Sequence, residues 1–325
     1  MSVSVYVTSI LPEPGIEIVK DLCPEAEVYP EDRIHPRDLL LEKIQGRDGV
    51  LTLLTDAVDK EFMDTVGPQL KIISNYAVGY NNIDVEEATE RKILVGNTPG
   101  VLTDATSDMA WALLFSVARR CAESDAFTRA GKFHGWRPSM FLGGDITERT
   151  LGIIGAGRIG TAMAMKSMGF KMKVLYYDLN PNKELEDKLG AKQVDLETLL
   201  KESDFVSVHT VLDDSTRHMI GAQELSIMKK SAYLINTSRG PVIDEVALVE
   251  ALKSRTIAGA GLDVYEDEPE LKPGLAECEN AVLAPHTASA TIWTRSRMAE
   301  MAANNLVAGL KGERPPNLVN PEALG

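Results

Sequence analysis

Cysteine is scarce in these 325 residues: Cys23, Cys121 and Cys278 are odd in number and scattered, with no Cys-x-x-Cys pair and no histidine at ligand spacing. That excludes a disulfide framework and a zinc site, and it predicts no metal and a reducing, cytoplasmic compartment. Long apolar runs are missing too. None nears the roughly 20 residues of a membrane span, and the start, Met1-Ser2-Val3-Ser4-Val5-Tyr6-Val7, lacks the basic region and cleavage site of a signal peptide. Positive charge is in deficit, 34 Lys and Arg against 48 Asp and Glu, a formal charge of -14, which argues against nucleic acid or an anionic membrane as partner. An anionic substrate must therefore be held by local cations. There are only 5 histidines, so a histidine acid or base comes from a short roster.

What is present is ordinary for a globular chain, 44% apolar and 25% charged residues, and the length calls for two domains of roughly 100 to 200 residues. Short apolar runs at Val3–Thr8, Gly49–Leu54 and Lys71–Ser74 alternate with stretches of helical period, the pattern of a parallel sheet. A helix starting at Thr103 and Asp104 carries Met109, Trp111, Leu114 and Phe115 mostly on one side and is expected to link the domains. A second series has six strand candidates: Leu151–Ile154, Lys173–Tyr177, Phe205–Val208, Ala232–Asn236, Ile257–Asp263 and Val282–Ala284. Six suit a doubly wound sheet. A last helix, Thr291–Leu310, ends at Gly312 ahead of Pro315-Pro316, and the short tail is expected to return to the N-terminal domain. The fold class is α/β with two doubly wound domains, residues 1–100 with 290–325 forming one and residues 101–289 the other.

Gly155-Ala156-Gly157-Arg158-Ile159-Gly160 follows an apolar run and opens a helix of small residues. The first glycine allows a tight turn, the second lets backbone approach a pyrophosphate, and the third allows close packing of helix on strand. Asp178 closes the next strand candidate, where a carboxylate accepts hydrogen bonds from the ribose hydroxyls. It also repels a 2′-phosphate, and Leu179, Asn180 and Pro181 bring no cation, so NAD is favoured; Lys183 nearby keeps NADP open.

Three groups of complementary chemistry follow strand candidates: Arg239 in Asn236-Thr-Ser-Arg-Gly240, Glu268 in Asp263-Val-Tyr-Glu-Asp-Glu-Pro269, and His286 in Ala284-Pro-His-Thr287. Reduction of a 2-oxo acid needs this set: a guanidinium for its carboxylate or carbonyl oxygen, an imidazolium to protonate that oxygen as hydride arrives, and a carboxylate to keep the imidazole protonated. Nothing comparable surrounds His35, His134, His209 or His218, which are read as structural or surface groups. Trp111 and Trp293 are expected in core or interface, and Trp136 either shapes a pocket or packs in a dimer arm. The acidic run Glu266-Asp267-Glu268 reads as a solvated turn with one buried member, since it lacks the ligand spacing of a calcium loop.

The order G-x-G-x-x-G with its Asp, then N-T-S-R-G, L-D-V-Y-E-x-E-P and A-P-H, resembles the D-isomer-specific 2-hydroxyacid dehydrogenases, closest to glyoxylate and hydroxypyruvate reductases. Ala77–Asp84, Asn97–Pro99 and Leu102–Asp108 extend the resemblance over nearly the whole chain. It implies a Rossmann NAD-binding domain inserted in a flavodoxin-like substrate domain, and a homodimer. It implies Arg239 for substrate binding, Glu268 for tuning the histidine and His286 as proton donor. Val78 and Gly79 match positions whose backbone N–H groups grip the substrate carboxylate. Asp263 matches one that orients the nicotinamide amide, and Thr103, Thr237, Ser238 and Ala288 complete the cofactor set. Val211, where the family commonly has proline, and Met140, where related reductases carry an aromatic, depart from the pattern. An NADH-sensing corepressor of the same fold stays open on these residues, as do dehydrogenases for phosphoglycerate, lactate or phosphite. Against phosphoglycerate stands the missing regulatory domain, and against phosphite the absence of a lysine in the N-terminal glycine motif, which here reads Ala77-Val78-Gly79.

Overall fold

The structure, a computed structural model, describes residues 3–325. The chain begins with β1 (Val5–Val7), α1 (Gly15–Leu22), β2 (Glu27–Val28), α2 (Arg37–Lys43), β3 (Gly49–Thr52), α3 (Lys60–Val66), β4 (Ile72–Asn75), α4 (Val85–Glu90) and β5 (Leu94–Gly96). Next come α5 (Thr103–Ala118), α6 (Cys121–Arg129), β6 (Thr150–Ile154), α7 (Arg158–Lys166), β7 (Lys173–Tyr177), α8 (Lys183–Leu189), β8 (Lys192–Gln193), α9 (Leu196–Glu202) and β9 (Phe205–Val208). The last part adds α10 (Ala222–Ile227), β10 (Tyr233–Asn236), α11 (Glu245–Lys253), β11 (Gly259–Leu262), β12 (Ala281–Leu283) and α12 (Ile292–Leu310). Many of the helices start where a short polar side chain can take up an orphan N–H: Asp59, Asp84, Asn182, Asp195, Asp244 and Thr291 each cap one.

Two compact units result, Met1–Leu102 with Ala290–Gly325, and Thr103–Ser289. The first holds a parallel sheet of order β2-β1-β3-β4-β5, the flavodoxin-like arrangement. Within it α12 lays Met298, Ala299, Ala302, Ala303 and Leu306 into the same core as Val5, Val7, Leu51 and Ile72. At Gly15 an added Cβ would sit 2.8 Å from Ala299 Cβ, so α1 meets α12 at glycine contact. The tail is tied down by Asn320, which accepts from Val95 N–H and donates to Ile93 O.

The second unit holds a parallel sheet of order β12-β11-β10-β9-β6-β7-β8, a Rossmann order in which the order of strands, not their direction, reverses between β6 and β9. It has seven strands, not six. The extra one, β8, is two exposed residues at the sheet edge, too short and too polar for an apolar run to mark it. Leu151, Ile153, Ile154, Val206, Val208, Leu234 and Ile235 in the central strands are fully buried, each worth about 1.5 to 3 kcal/mol on transfer from water. Helix α5 corrects the one-sided reading: Ala105, Thr106, Ser107, Ala110, Trp111, Leu113, Leu114, Val117 and Ala118 are all buried, because it packs on α7 as well as on β10 and β11. Trp111 is buried and donates to Met163 O at 3.1 Å, which makes it a core residue, whereas Trp293 is 65% exposed and lies outside the core.

Candidate active site

The carboxyl ends of β6, β7, β10, β11 and β12 carry the candidate groups of the second unit other than Thr103. Beyond β6, Gly155 has φ +88°, and a Cβ there would meet Thr210 N at 2.7 Å. At Gly160 a Cβ would lie 2.0 Å from Gly155 O, so α7 sits against the turn it leaves. Gly157, the N-cap of α7, is different: a Cβ would meet nothing within 4 Å, and no side chain caps the helix. Open space over uncapped N–H groups is what a phosphate requires. Ala156, Arg158 and Ile159 complete this loop and first turn.

Asp178 directly follows β7 and ties the loop: its Oδ2 accepts from Ala156 N–H at 2.8 Å and its Oδ1 from Asn180 N–H at 3.0 Å. Asn182 was not expected in this role. Its amide donates to Ala156 O and to Thr161 Oγ1, both at 2.8 Å, while capping α8. Sequence could mark it as a cap but not as a latch on a loop 26 residues away. Leu179 and Val211, just beyond β7 and β9, are 91% and 71% exposed apolar groups on either side of the point where the strand order reverses.

His209 follows β9. Its Nε2 meets Ser207 Oγ at 2.8 Å, and its Nδ1 is buried with no partner among the described residues. Burial alone pushes it down to about 3, so the ring is neutral. Thr237 Oγ1, beyond β10, is likewise buried and without a partner, and Ser238 binds back to Asn236 Oδ1 at 2.8 Å. Two orphaned polar atoms, an uncapped helix start and a loop held by Asp178 fit a dinucleotide. Thr103 opens α5 in the same unit.

Arg239 is half-buried; burial pushes its guanidinium down and the Glu268 charge opposes this. Asp263, fully buried at the end of β11, accepts from Thr287 N–H and Ala288 N–H, both at 2.7 Å. Burial drives its carboxyl up, against those N–H groups and the His286 charge. Asp263 thus anchors the loop that carries His286, and the Ala288 N–H is already spent on it. His286 has φ +54°, a left-handed conformation that costs a non-glycine residue roughly 1 to 2 kcal/mol and persists only where surroundings impose it. Its N–H is held by Asp263 O at 2.9 Å and Ala284 O at 3.1 Å.

Glu268 Oε2 lies 2.8 Å from His286 Nδ1, and Glu268 Oε1 accepts from Tyr265 N–H at 3.0 Å. Burial raises the Glu268 carboxyl, but the His286 hydrogen bond and charge, the Tyr265 N–H and Arg239 outweigh it and hold the group below the usual carboxylate range. An ionised carboxylate only accepts, so Nδ1 carries the proton and Nε2 is the nitrogen left for chemistry.

The three expected groups are brought together, yet two expectations about the neighbourhood need correcting. His218 does have comparable surroundings: its Nε2 lies 2.9 Å from Glu266 Oε1, so pairing with a carboxylate does not by itself single out His286. The acidic turn has two sheltered members, since Glu266 is 11% exposed and Glu268 30% at the side chain, against 62% for Asp267. The reason is Glu245, buried at the start of α11. Its carboxylate accepts from Glu266 N–H at 2.7 Å and Lys272 N–H at 2.9 Å and clamps the turn from behind. No local pattern in sequence reveals a contact spanning 21 residues.

In the first unit, Val78 O accepts from Asn97 Nδ2 at 2.8 Å and Gly79 O from Asn75 Nδ2 at 3.0 Å. With both carbonyls turned to asparagines, neither N–H has a partner among the described residues.

Residues 111–288 match the family described as D-isomer specific 2-hydroxyacid dehydrogenase, NAD binding domain. Over the full length, the chain is 53% identical to a glyoxylate reductase of Thermococcus litoralis, covering 100% of this chain and 98% of that protein. Among solved structures it is similar to a glyoxylate reductase from Paecilomyes thermophila, with a TM-score of 0.87 at 34% identity, covering 99% of both chains. It is also similar to an NADPH-dependent glyoxylate/hydroxypyruvate reductase from Sinorhizobium meliloti in complex with NADP and malonate, with a TM-score of 0.85 at 31% identity, covering 99% of this chain and 98% of that one.

Proposed function

We infer the reaction from one premise: the chain belongs to the D-isomer specific 2-hydroxyacid dehydrogenase family. It reduces a small 2-oxo acid, glyoxylate or hydroxypyruvate, to the D-2-hydroxy acid. The observation that carries this reading is the Glu268–His286 pair at 2.8 Å beside Arg239, on neighbouring strand ends of a dinucleotide-binding sheet. When bound, the nicotinamide cofactor supplies the hydride to C2.

Arg239 holds the substrate's carboxylate or carbonyl oxygen, and the Val78 and Gly79 N–H groups, assigned by family resemblance, receive the carboxylate. His286 Nε2 gives its proton to the carbonyl oxygen, and Glu268, ionised against Nδ1, favours the protonated ring and fixes its orientation. Gly155, Ala156, Gly157, Arg158, Ile159 and Gly160 take the pyrophosphate. Asp178 would receive the ribose hydroxyls and so favour NAD over NADP, while Thr103, Thr237, Ser238, Asp263 and Ala288 would complete the cofactor site. The enzyme works as a cytoplasmic homodimer. Its arm, with Phe133 54%, Trp136 79% and Leu142 68% exposed, is the surface that supports pairing, and the three free thiols suit a reducing compartment.

The test is a panel of glyoxylate, hydroxypyruvate and pyruvate with NADH and NADPH side by side, followed at the reduced-nicotinamide absorbance. Turnover is expected with the first two, and His286→Ala should lose about 10²- to 10⁴-fold in kcat while still binding NADH. Tight NADH binding with no turnover on any 2-oxo acid would refute the reading and point to a sensor.

A further inference from the structure

We propose that Tyr265 is a positioning residue that holds Arg239, Glu268 and His286 in register, a role that rests on the reductase reading above. Three separate contacts leave this one residue. Its N–H donates to Glu268 Oε1 at 3.0 Å. Its hydroxyl donates to Ala284 O at 2.8 Å. Its carbonyl abuts the backbone next to Arg239: a Cβ at position 240 would lie 1.8 Å from Tyr265 O, so only Gly240 fits there.

The hydroxyl contact has a particular consequence. Ala284 O also accepts the His286 N–H at 3.1 Å, closing a three-residue turn about Pro285. Turns of this size have poor hydrogen-bond geometry, and this one must keep His286 at φ +54°. The Tyr265 O–H fixes the same carbonyl from the other side and so pins the turn. Packing does not require the oxygen: Tyr265 belongs to the buried apolar cluster that also holds Leu262 and Val242, where phenylalanine would fill the same volume. Burial raises the hydroxyl to about 12, so it stays a donor throughout the working range.

Tyr265→Phe removes the donor alone. We expect kcat to fall about 3- to 10-fold, the worth of one neutral hydrogen bond, with KM for NADH unchanged. The alkaline limb of the kcat profile should move to lower pH, because a misaligned Glu268 retains the His286 proton less well. Incorporating 3-fluorotyrosine at position 265, which restores the donor, should restore both. A role confined to stability would lower Tm and leave kcat and its limb in place, and that result overturns the proposal. If the variant does not fold, failure of the 3-fluorotyrosine protein to match wild type at pH 7 overturns it equally. Should the wild-type protein reduce no 2-oxo acid, the reductase reading falls separately. The ¹⁵N imidazole signal of His286, identified by its loss in His286→Ala, then decides: a shift in Tyr265→Phe supports positioning, and an unmoved signal refutes it.

Discussion

Two glycines of one motif should respond to the same methyl group in opposite ways. At Gly160 an added Cβ would lie 2.0 Å from Gly155 O and 3.0 Å from Ile153 Cγ2. Comfortable carbon contacts begin near ~3.5 Å, so α7 must move by roughly 1.5 Å from the β6 turn. Overpacking of that kind costs about 1 to 3 kcal/mol, or roughly 2 to 12 °C in Tm for a unit of 150 to 250 residues. At Gly157 the Cβ meets nothing within 4 Å and the backbone, φ -72° and ψ -163°, is extended and open to any residue. Gly157→Ala should therefore leave stability unchanged or raise it by about 0.4 to 1 kcal/mol, through lost unfolded-state entropy. Its cost appears only with the cofactor. A methyl over the uncapped N–H groups displaces a charge-assisted hydrogen bond worth about 1.5 to 3 kcal/mol, roughly a 10- to 150-fold rise in Kd for NADH. Calorimetric melting without cofactor and fluorescence titration with NADH separate the two effects. Equal destabilisation by both variants, or wild-type NADH affinity in Gly157→Ala, would refute the division of labour.

Two other outcomes follow from the geometry. The folded Glu268 carboxyl lies below its unfolded value near ~4.3, so its pairing stabilises the protein above that pH and is lost as pH falls through the folded value. The Tm gap between wild type and Glu268→Gln should accordingly narrow below about pH 4, and a gap equal at pH 3 and pH 7 would contradict the pairing. For the arm, Phe133→Ser with Trp136→Ser should convert the dimer to a monomer by light scattering. A wild-type protein that is already monomeric at micromolar concentration would remove the basis for that expectation.

The acidic turn shows how far sequence reading reaches. Glu268 was recognisable from its place after an apolar run and before Pro269, because strand ends in a doubly wound sheet deliver groups to a crevice. Glu245, Tyr265 and Ala284 were not, since the hydrogen bonds that hold the turn join residues 19 to 27 apart. The same limit hid the His218–Glu266 pair, 48 residues apart, and the two-residue edge strand β8.

Sequence alone determined the parallel α/β architecture, the glycine loop, the carboxylate at Asp178 and the placing of Arg239, Glu268 and His286 just beyond strand ends. All of these are written in local period and spacing, which short-range sterics and hydrophobic burial translate directly. Only the tertiary structure decided how those groups are aimed: the left-handed backbone of His286, the loop anchored by Asp263, the clamp from Glu245 and the contacts of Tyr265. Orientation depends on hydrogen bonds between strand ends that are adjacent in the sheet and distant in the chain, and no single segment carries that information.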